Sequence, residues 1–104
     1  MKVEVLYFQG CPNHEALLPH LDDLLRQAGI DAAIQLVEVG DDEVARRARF
    51  LGSPTVRIDG RDIEPGADDR SDFGLKCRLY RTADGLGGTP ADEWMLAALA
   101  DVDA

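Results

Sequence analysis

The sequence predicts one layered α/β domain: a mixed sheet of about four strands flanked by three helices, in the order βαβαββα. Strand-like and helix-like stretches alternate through the first half of the chain, which is typical of such a domain. The pair Asp59-Gly60 then gives a strong hairpin signal, so the last two strands should pair antiparallel at one edge. With 104 residues the chain is long enough for one small core, and residues 1–104 are treated as a single domain.

The amino-acid composition restricts the classes of partner that we expect the protein to bind. The net charge is −9, from 11 basic and 20 acidic residues, which argues against nucleic acid because phosphate binding needs a basic surface. No apolar run is long enough to span a membrane, so no membrane partner is predicted. The first residues lack a charged and then apolar signal pattern, and we therefore expect a cytoplasmic protein.

The first strand and helix have the clearest patterns. Residues 3–8 are apolar, β-branched and aromatic, which predicts a central strand. A helix is expected from about Pro12 to Ala28, with Pro19 inside it. Its buried stripe, spaced for one helix face, is Leu17, Leu21, Leu24, Leu25 and Ala28.

The later elements follow from the same kinds of signal. They are a strand at residues 32–39, a short helix at 42–50, strands at 55–58 and 61–63, and a last helix capped by Thr89 with Pro90 first. Trp94, Ala97, Ala98 and Leu99 should dock that helix on the sheet. Residues 64–89 have no clear helix or strand pattern, and residues 84–88 are predicted to form a flexible turn.

The turn that joins the first strand to the first helix carries a cysteine. Gly10 allows a sharp turn, Cys11 follows, and Pro12 suits the first helical position. A helix N-terminus has unpaired N–H groups and partial positive charge, which stabilise a thiolate. We therefore predict that Cys11 is a nucleophile at neutral pH rather than an inert buried thiol.

His14 lies one turn further along the same helix face as Cys11. It is either a group that stabilises the thiolate or donates a proton, or an ordinary exposed helix histidine.

Cys77 is the second thiol. It alternates with Leu75 and Leu79, which suggests a short extended piece with these three side chains facing the core. Two interpretations remain: Cys77 is a buried structural thiol, or it is a resolving thiol that bonds Cys11. The second would need the segment to shift, unless the two Cα atoms already lie within about 7 Å.

The order of elements and the residues at their joints resemble the thioredoxin-like superfamily, nearest the glutaredoxin arrangement. The sequence Cys11-Pro12-Asn13-His14 stands where that family has Cys-x-x-Cys, and Pro19 matches its kinking proline. More narrowly, Gly-Cys-Pro-Asn, Arg-Phe-Leu-Gly-Ser-Pro-Thr, Asp-Gly-Arg-Asp and Cys-Arg-Leu-Tyr resemble a small bacterial group, the DF family of (seleno)proteins.

The resemblance implies redox chemistry at Cys11 and a cis bond between Ser53 and Pro54, lying against the Cys11 turn. It also implies that Pro12, Ser53 and Pro54 hold the backbone of a substrate next to the thiol. The chain departs from the family at His14, which replaces the second cysteine of the turn. Resolution of a mixed disulfide must therefore come from an external thiol or from Cys77.

The predicted function is thiol–disulfide exchange or peroxide-linked chemistry by an oxidoreductase with catalytic Cys11, His14 and Cys77. The expected partner is a low-molecular-weight thiol or a protein thiol or disulfide, with no cofactor and no metal. Two alternatives remain. Cys11, His14 and Cys77 are soft ligands that suit zinc, copper(I) or mercury, although without a Cys-x-x-Cys pair the signal is weak. The other alternative is a redox-inactive module that pairs the Pro54 loop with an extended peptide.

Overall fold

The structure, a computed structural model, describes the backbone of residues 1–103 and the side chains of residues 1–100. In chain order its elements are β1 (Val3–Tyr7), α1 (Asn13–Gln27), β2 (Ile34–Glu38), α2 (Asp42–Arg47), β3 (Thr55–Ile58), β4 (Arg61–Asp62), β5 (Tyr80–Thr82), β6 (Gly85–Gly87) and α3 (Asp92–Asp103). A 3-10 turn, Ala67–Asp69, lies between β4 and β5. The predicted α/β class, mixed four-stranded sheet and three helices are confirmed.

The main sheet has the strand order β2-β1-β3-β4. β1 pairs parallel with β2 and antiparallel with β3, so that Val5 lies between Leu36 and Val56. The apolar run of β1 was predicted to be central, and it is. Because β1 is central, the turn that follows it emerges from the middle of the sheet.

The main core lies between this sheet, α1 and α3. The predicted stripe of α1 is confirmed for Leu17, Leu21, Leu24 and Leu25, which are buried. It is wrong for Ala28, which is exposed at the C-cap just after the helix ends. Within residues 92–100 of α3, the buried residues are Met95 and Leu99, and Trp94 packs against the cluster while partly exposed. Trp94 and Ala98 thus dock α3 from the margin of the core, whereas Ala97 is exposed and its predicted docking role is wrong.

A second, smaller cluster lies under α2, where Ala45 and Phe50 pack with Leu6 and Val39. The Asp41 carboxylate caps this helix by accepting from the Val44 N–H at 2.8 Å. α2 ends at Arg47, three residues before the predicted end. Arg49 then takes a left-handed backbone with φ 56°.

The stretch predicted as irregular differs most from expectation. β5 and β6 form a separate two-stranded antiparallel hairpin, so the chain has two strands beyond the predicted βαβαββα order. β6 consists of Gly85, Leu86 and Gly87, which lack the β-branched and aromatic residues by which a strand is predicted. α3 begins at Asp92, two residues after the predicted Pro90. Within residues 1–103, no helix combines the length and apolar character needed to cross a bilayer.

Candidate functional site

Cys11 lies between the end of β1 and the start of α1, as predicted. Its N–H donates to the Phe8 carbonyl at 3.3 Å, which closes the turn. A Cβ at Gly10 would collide with the Phe8 ring, so any other residue there would require that ring to move. Pro12 is exposed and occupies the N-cap position rather than the predicted first helical position, and its side chain makes no capping hydrogen bond.

Cys11 and Cys77 form a disulfide, with their Cα atoms 5.6 Å apart and 66 positions apart in sequence. The Cα separation is in the range typical of disulfides, so the two thiols meet without a shift of the backbone. The structure therefore brings together the two cysteines that were predicted as nucleophile and possible resolving thiol.

Residues 74–80, here called the Cys77 segment, are held on the loop before β3 by backbone hydrogen bonds. The Gly74 N–H donates to the Phe50 carbonyl at 3.0 Å. The Ser53 N–H donates to the Lys76 carbonyl at 2.8 Å, and the Arg78 N–H donates to the Ser53 carbonyl at 2.9 Å. These bonds form a parallel bridge between Ser53 and Cys77, which places Cys77 beside the loop.

The Ser53–Pro54 peptide bond is cis, as predicted. Its place against the Cys11 turn is also confirmed, because Cys11 Sγ lies 3.6 Å from the Ser53 carbonyl oxygen. The predicted use of Ser53 differs, however. Both of its backbone hydrogen-bonding groups are bound by the protein's own Cys77 segment, so in this disulfide state neither is open to a substrate backbone.

Gly52 permits the close approach of this segment. Its φ of +126° lies in the region that favours glycine. A Cβ there would lie 2.9 Å from the Arg78 Cβ and 3.0 Å from the Lys76 carbonyl oxygen. Any side chain at this position would push the Cys77 segment away from Ser53.

The side-chain directions in the Cys77 segment agree with the prediction at Leu75, which packs against the smaller cluster, and are opposite to it from Cys77 onward. Leu79 is 64% exposed and Cys77 is exposed, whereas Arg78 and Tyr80 are buried. The apolar alternation was assigned to the core, but a buried arginine with acidic partners takes the inward positions instead. The prediction that Cys77 rests inward is therefore wrong.

Arg78 is the anchor of the segment. Its guanidinium meets the Asp62 carboxylate with two bonds, at 2.7 and 3.1 Å, and donates to Glu64 at 2.6 Å. It also donates to Thr55 Oγ1 at 3.0 Å. Burial alone would lower the pKa of Arg78, but the hydrogen bond to Asp62 and the surrounding negative charge raise it, so the guanidinium stays charged.

Tyr80 adds a second buried contact to the same loop. Its hydroxyl donates to the Pro54 carbonyl at 2.5 Å, and the Arg78 guanidinium lies 4.5 Å from its ring centroid. Burial raises the pKa of Tyr80 above its ordinary value, which keeps the hydroxyl a donor. Arg78 and Tyr80 thus fix the direction in which Cys77 points.

His14 contacts the Cys11 backbone rather than its sulfur. Its Nδ1 lies 3.1 Å from the Cys11 carbonyl oxygen, and its ring stacks on Tyr7 with centroids 4.3 Å apart. Since a carbonyl only accepts, this bond places the ring proton on Nδ1. His14 therefore steadies the turn, and its predicted part in proton transfer stays a prediction.

The two bonded cysteines differ sharply in exposure. Cys11 has 0% of its surface exposed, while Cys77 is an exposed residue. When reduced, the Cys11 sulfur would feel two opposing influences. The adjacent start of α1 favours the thiolate, whereas burial and the Ser53 carbonyl oxygen favour the protonated thiol.

The alternative of a soft-metal site can be compared with this geometry. In the part of the chain that the structure describes, no three His, Cys, Asp or Glu side chains are grouped to hold a metal ion. The two sulfurs are bonded to each other, so metal binding would first require that bond to be reduced.

Sequence patterns missed four residues that build the site: Gly52, Asp62, Glu64 and Arg78. One sequence signal for this cluster is present: two acidic residues, at positions 62 and 64, lie next to a hairpin and are followed later in the chain by Arg78. That signal is weak because charged residues at such positions are usually solvated.

Comparison of the chain with protein-family models, with curated proteins and with solved structures returned no match.

Proposed function

We propose that this protein is a thioredoxin-like thiol–disulfide oxidoreductase that cycles between a Cys11–Cys77 disulfide and the corresponding dithiol. The observation that supports the proposal most is the position of this pair. One sulfur lies between a central strand and a helix N-terminus, and the other is held across from it by the loop with the cis-proline.

The geometry suits reversible exchange. The Cα separation of 5.6 Å is within the range found in disulfides, so reduction and reoxidation require little movement of the main chain. The start of α1 stabilises a thiolate on Cys11 whenever the bond opens. In the predicted cytoplasmic setting, external thiols would hold much of the protein as the dithiol until an oxidised substrate arrives.

Arg78 and Tyr80 have a structural part in this proposal. They hold the Cys77 segment on the loop through the Asp62 carboxylate and the Pro54 carbonyl. Because these contacts do not include either sulfur, they persist when the bond opens, and Cys77 remains close enough to resolve a mixed disulfide on Cys11.

A redox titration tests the proposal. The protein is equilibrated with buffers of reduced and oxidised dithiothreitol, quenched in acid, and its thiols are counted by alkylation and mass spectrometry. We expect a single two-electron transition between zero and two thiols. In Cys77→Ser, oxidation should instead give intermolecular dimers or adducts on Cys11.

Two results would contradict the proposal. One is wild-type protein that keeps both thiols under excess oxidant. The other is a disulfide that reductants open only after the protein is unfolded. Titration of the reduced protein with Zn²⁺ provides a separate control, because tight stoichiometric zinc binding without a redox transition would favour the metal-binding alternative.

A further inference from the structure

We propose that the reductant of the disulfide is a low-molecular-weight thiol, and that its thiolate attacks Sγ of Cys77, with Cys11 as the leaving group. The inference rests on the proposed function, because it names the substrate class and the order of events at the same pair of sulfurs. According to this inference, the sulfur that the external thiol attacks first is that of Cys77 and not that of Cys11, the cysteine at the helix N-terminus.

The first support is access. Thiolates attack a disulfide at the sulfur that they can reach, and attack is followed by loss of the other sulfur. Cys11 has no exposed surface, whereas Cys77 is exposed. Leu79, two residues along the same side of the segment, is 64% exposed, so this side is open to solvent beyond Cys77 itself.

The second support concerns the leaving group. A lower thiol pKa makes a thiolate leave faster. Cys11 directly precedes Pro12, the N-cap residue of α1, so Cys11 is adjacent in the chain to the partial positive charge at the N-terminus of that helix. Cys77 has no such helix, since it lies in an extended segment.

The third support concerns the size of the partner. Pairing with an extended peptide would need the backbone groups of Ser53, but its N–H and carbonyl are bound by Lys76 and Arg78. The Arg78 side chain is locked by Asp62 and Glu64, so this occupancy is not easily displaced. A small thiol needs none of these groups and can approach Cys77 from the solvent side.

The reaction balances in two steps. In the first, the thiolate RS⁻ forms a bond to Cys77 Sγ, the Cys11–Cys77 bond breaks, and the electron pair leaves on Cys11 as a thiolate. In the second, another RS⁻ attacks the outer sulfur of the mixed disulfide, releasing RSSR and the Cys77 thiolate. The two protons lost by the two RSH molecules are taken up by the protein thiolates, so two thiols are oxidised as one protein disulfide is reduced.

The position of the adduct gives the decisive test. Oxidised wild-type protein is mixed with glutathione, quenched in acid within milliseconds to seconds, digested in acid, and mapped by tandem mass spectrometry. We expect the earliest glutathione adduct on the peptide that contains Cys77, with Cys11 free. An earliest adduct on Cys11 would overturn the inference while leaving the redox function intact.

A charge placed beside Cys77 gives a second test. Leu79→Asp and Leu79→Lys place opposite charges about 7 Å from residue 77 along an extended chain. At low ionic strength, reduction by the anionic thiol 2-mercaptoethanesulfonate should slow about threefold with Asp and quicken about threefold with Lys. Reduction by cysteamine, whose attacking thiolate form has no net charge because of its ammonium group, should change much less in either variant.

The matched control is Leu36, which is 52% exposed on β2, the edge strand on the other side of β1 from β3. Leu36→Asp and Leu36→Lys alter the net charge equally but should leave both rates within the error of the wild type. Equal effects at positions 36 and 79 would mean that only net charge matters, and would contradict attack at Cys77.

Partner size is tested with a cysteine in the middle of a nine-residue extended peptide and with glutathione, compared per thiolate. The inference expects the peptide to react no faster than glutathione. A peptide that reacts more than tenfold faster would overturn the assignment to small thiols. If no thiol of either kind reduces the folded protein, the proposed redox function itself fails, which is a different outcome from both of these.

Discussion

Replacing Arg78 by methionine should be among the most damaging single changes that preserve side-chain size. The side chain of Arg78 has 0% exposure, and its partners Asp62 and Glu64 are 9% and 15% exposed. Removing one member of a buried ion pair costs about 3–5 kcal/mol, because the remaining charges are left without compensation. At about 4 °C per kcal/mol for a domain of this size, the Tm of Arg78→Met should fall by roughly 12–20 °C.

The control is Arg26→Met. Arg26 also pairs with a carboxylate, Asp22, at 2.7 Å, but the two side chains are 74% and 45% exposed. An exposed pair of this kind contributes about 0.3–0.5 kcal/mol, so the Tm should fall by no more than about 2 °C. Thermal and urea unfolding followed by circular dichroism measure both variants, each in the oxidised and the reduced form.

A compensated variant separates lost packing from stranded charge. Adding Asp62→Asn and Glu64→Gln to Arg78→Met removes the charges that lost their partner, and should recover part of the free energy of unfolding. Loosening the Cys77 segment should also shift the redox equilibrium of Arg78→Met toward the dithiol. The reasoning is refuted if Arg78→Met unfolds within error of Arg26→Met, since the segment would then be held by something other than the buried charge.

The remaining predictions concern the loop, the buried hydroxyl and an exposed carboxylate. Gly52→Ala should lower the free energy of unfolding by about 1–3 kcal/mol because of the positive φ, and by a further amount because its Cβ clashes with the Cys77 segment. Gly60 has a φ of +84° and open space around it, so Gly60→Ala should show only the cost of the positive φ. Urea unfolding measures both variants. Tyr80→Phe should cost about 1 kcal/mol by removing the bond to the Pro54 carbonyl. Because burial raises the pKa of Tyr80 above 10.0, the wild type should also lose stability as the pH rises beyond that value, and Tyr80→Phe should lack this loss. The hydrogen bond from Arg70 holds the pKa of Asp72 below 3.8, so the stability that it provides is present above that pH and is lost as the pH falls further; acid titration of Asp72→Asn should show a shallower decline.

The parts of the fold that were predicted correctly depend on local patterns. β1 and the buried stripe of α1 follow from apolar residues at strand and helix spacing, which needs no knowledge of distant residues. The Cys11 turn follows from glycine, cysteine and proline placed between those two elements. The cis bond before Pro54 came from the resemblance, since few X–Pro bonds are cis.

The Cys77 segment was assigned the wrong face because its direction depends on distant partners. A hydrophobic pattern places Leu79 inside and Arg78 outside. The opposite arrangement becomes favourable only when the Asp62 and Glu64 carboxylates, 16 and 14 residues away, surround the guanidinium. His14 shows a related limit of sequence patterns, because helix spacing predicted that it lies near Cys11 but could not distinguish a contact to the sulfur from a contact to the carbonyl.

The 66-residue separation of the two cysteines links redox state to the survival of the fold. Closing a loop of this length reduces the entropy of the unfolded chain enough to stabilise the native state by about 4 kcal/mol. The total free energy of unfolding of a typical domain is only about 5–15 kcal/mol, so the dithiol form unfolds far more often than the disulfide form. Proteases that cleave unfolded chains would therefore meet the reduced protein up to about a thousand times more often than the oxidised one. Under the proposed redox function, the same bond would thus also influence the lifetime of the molecule between one reduction and the next oxidation.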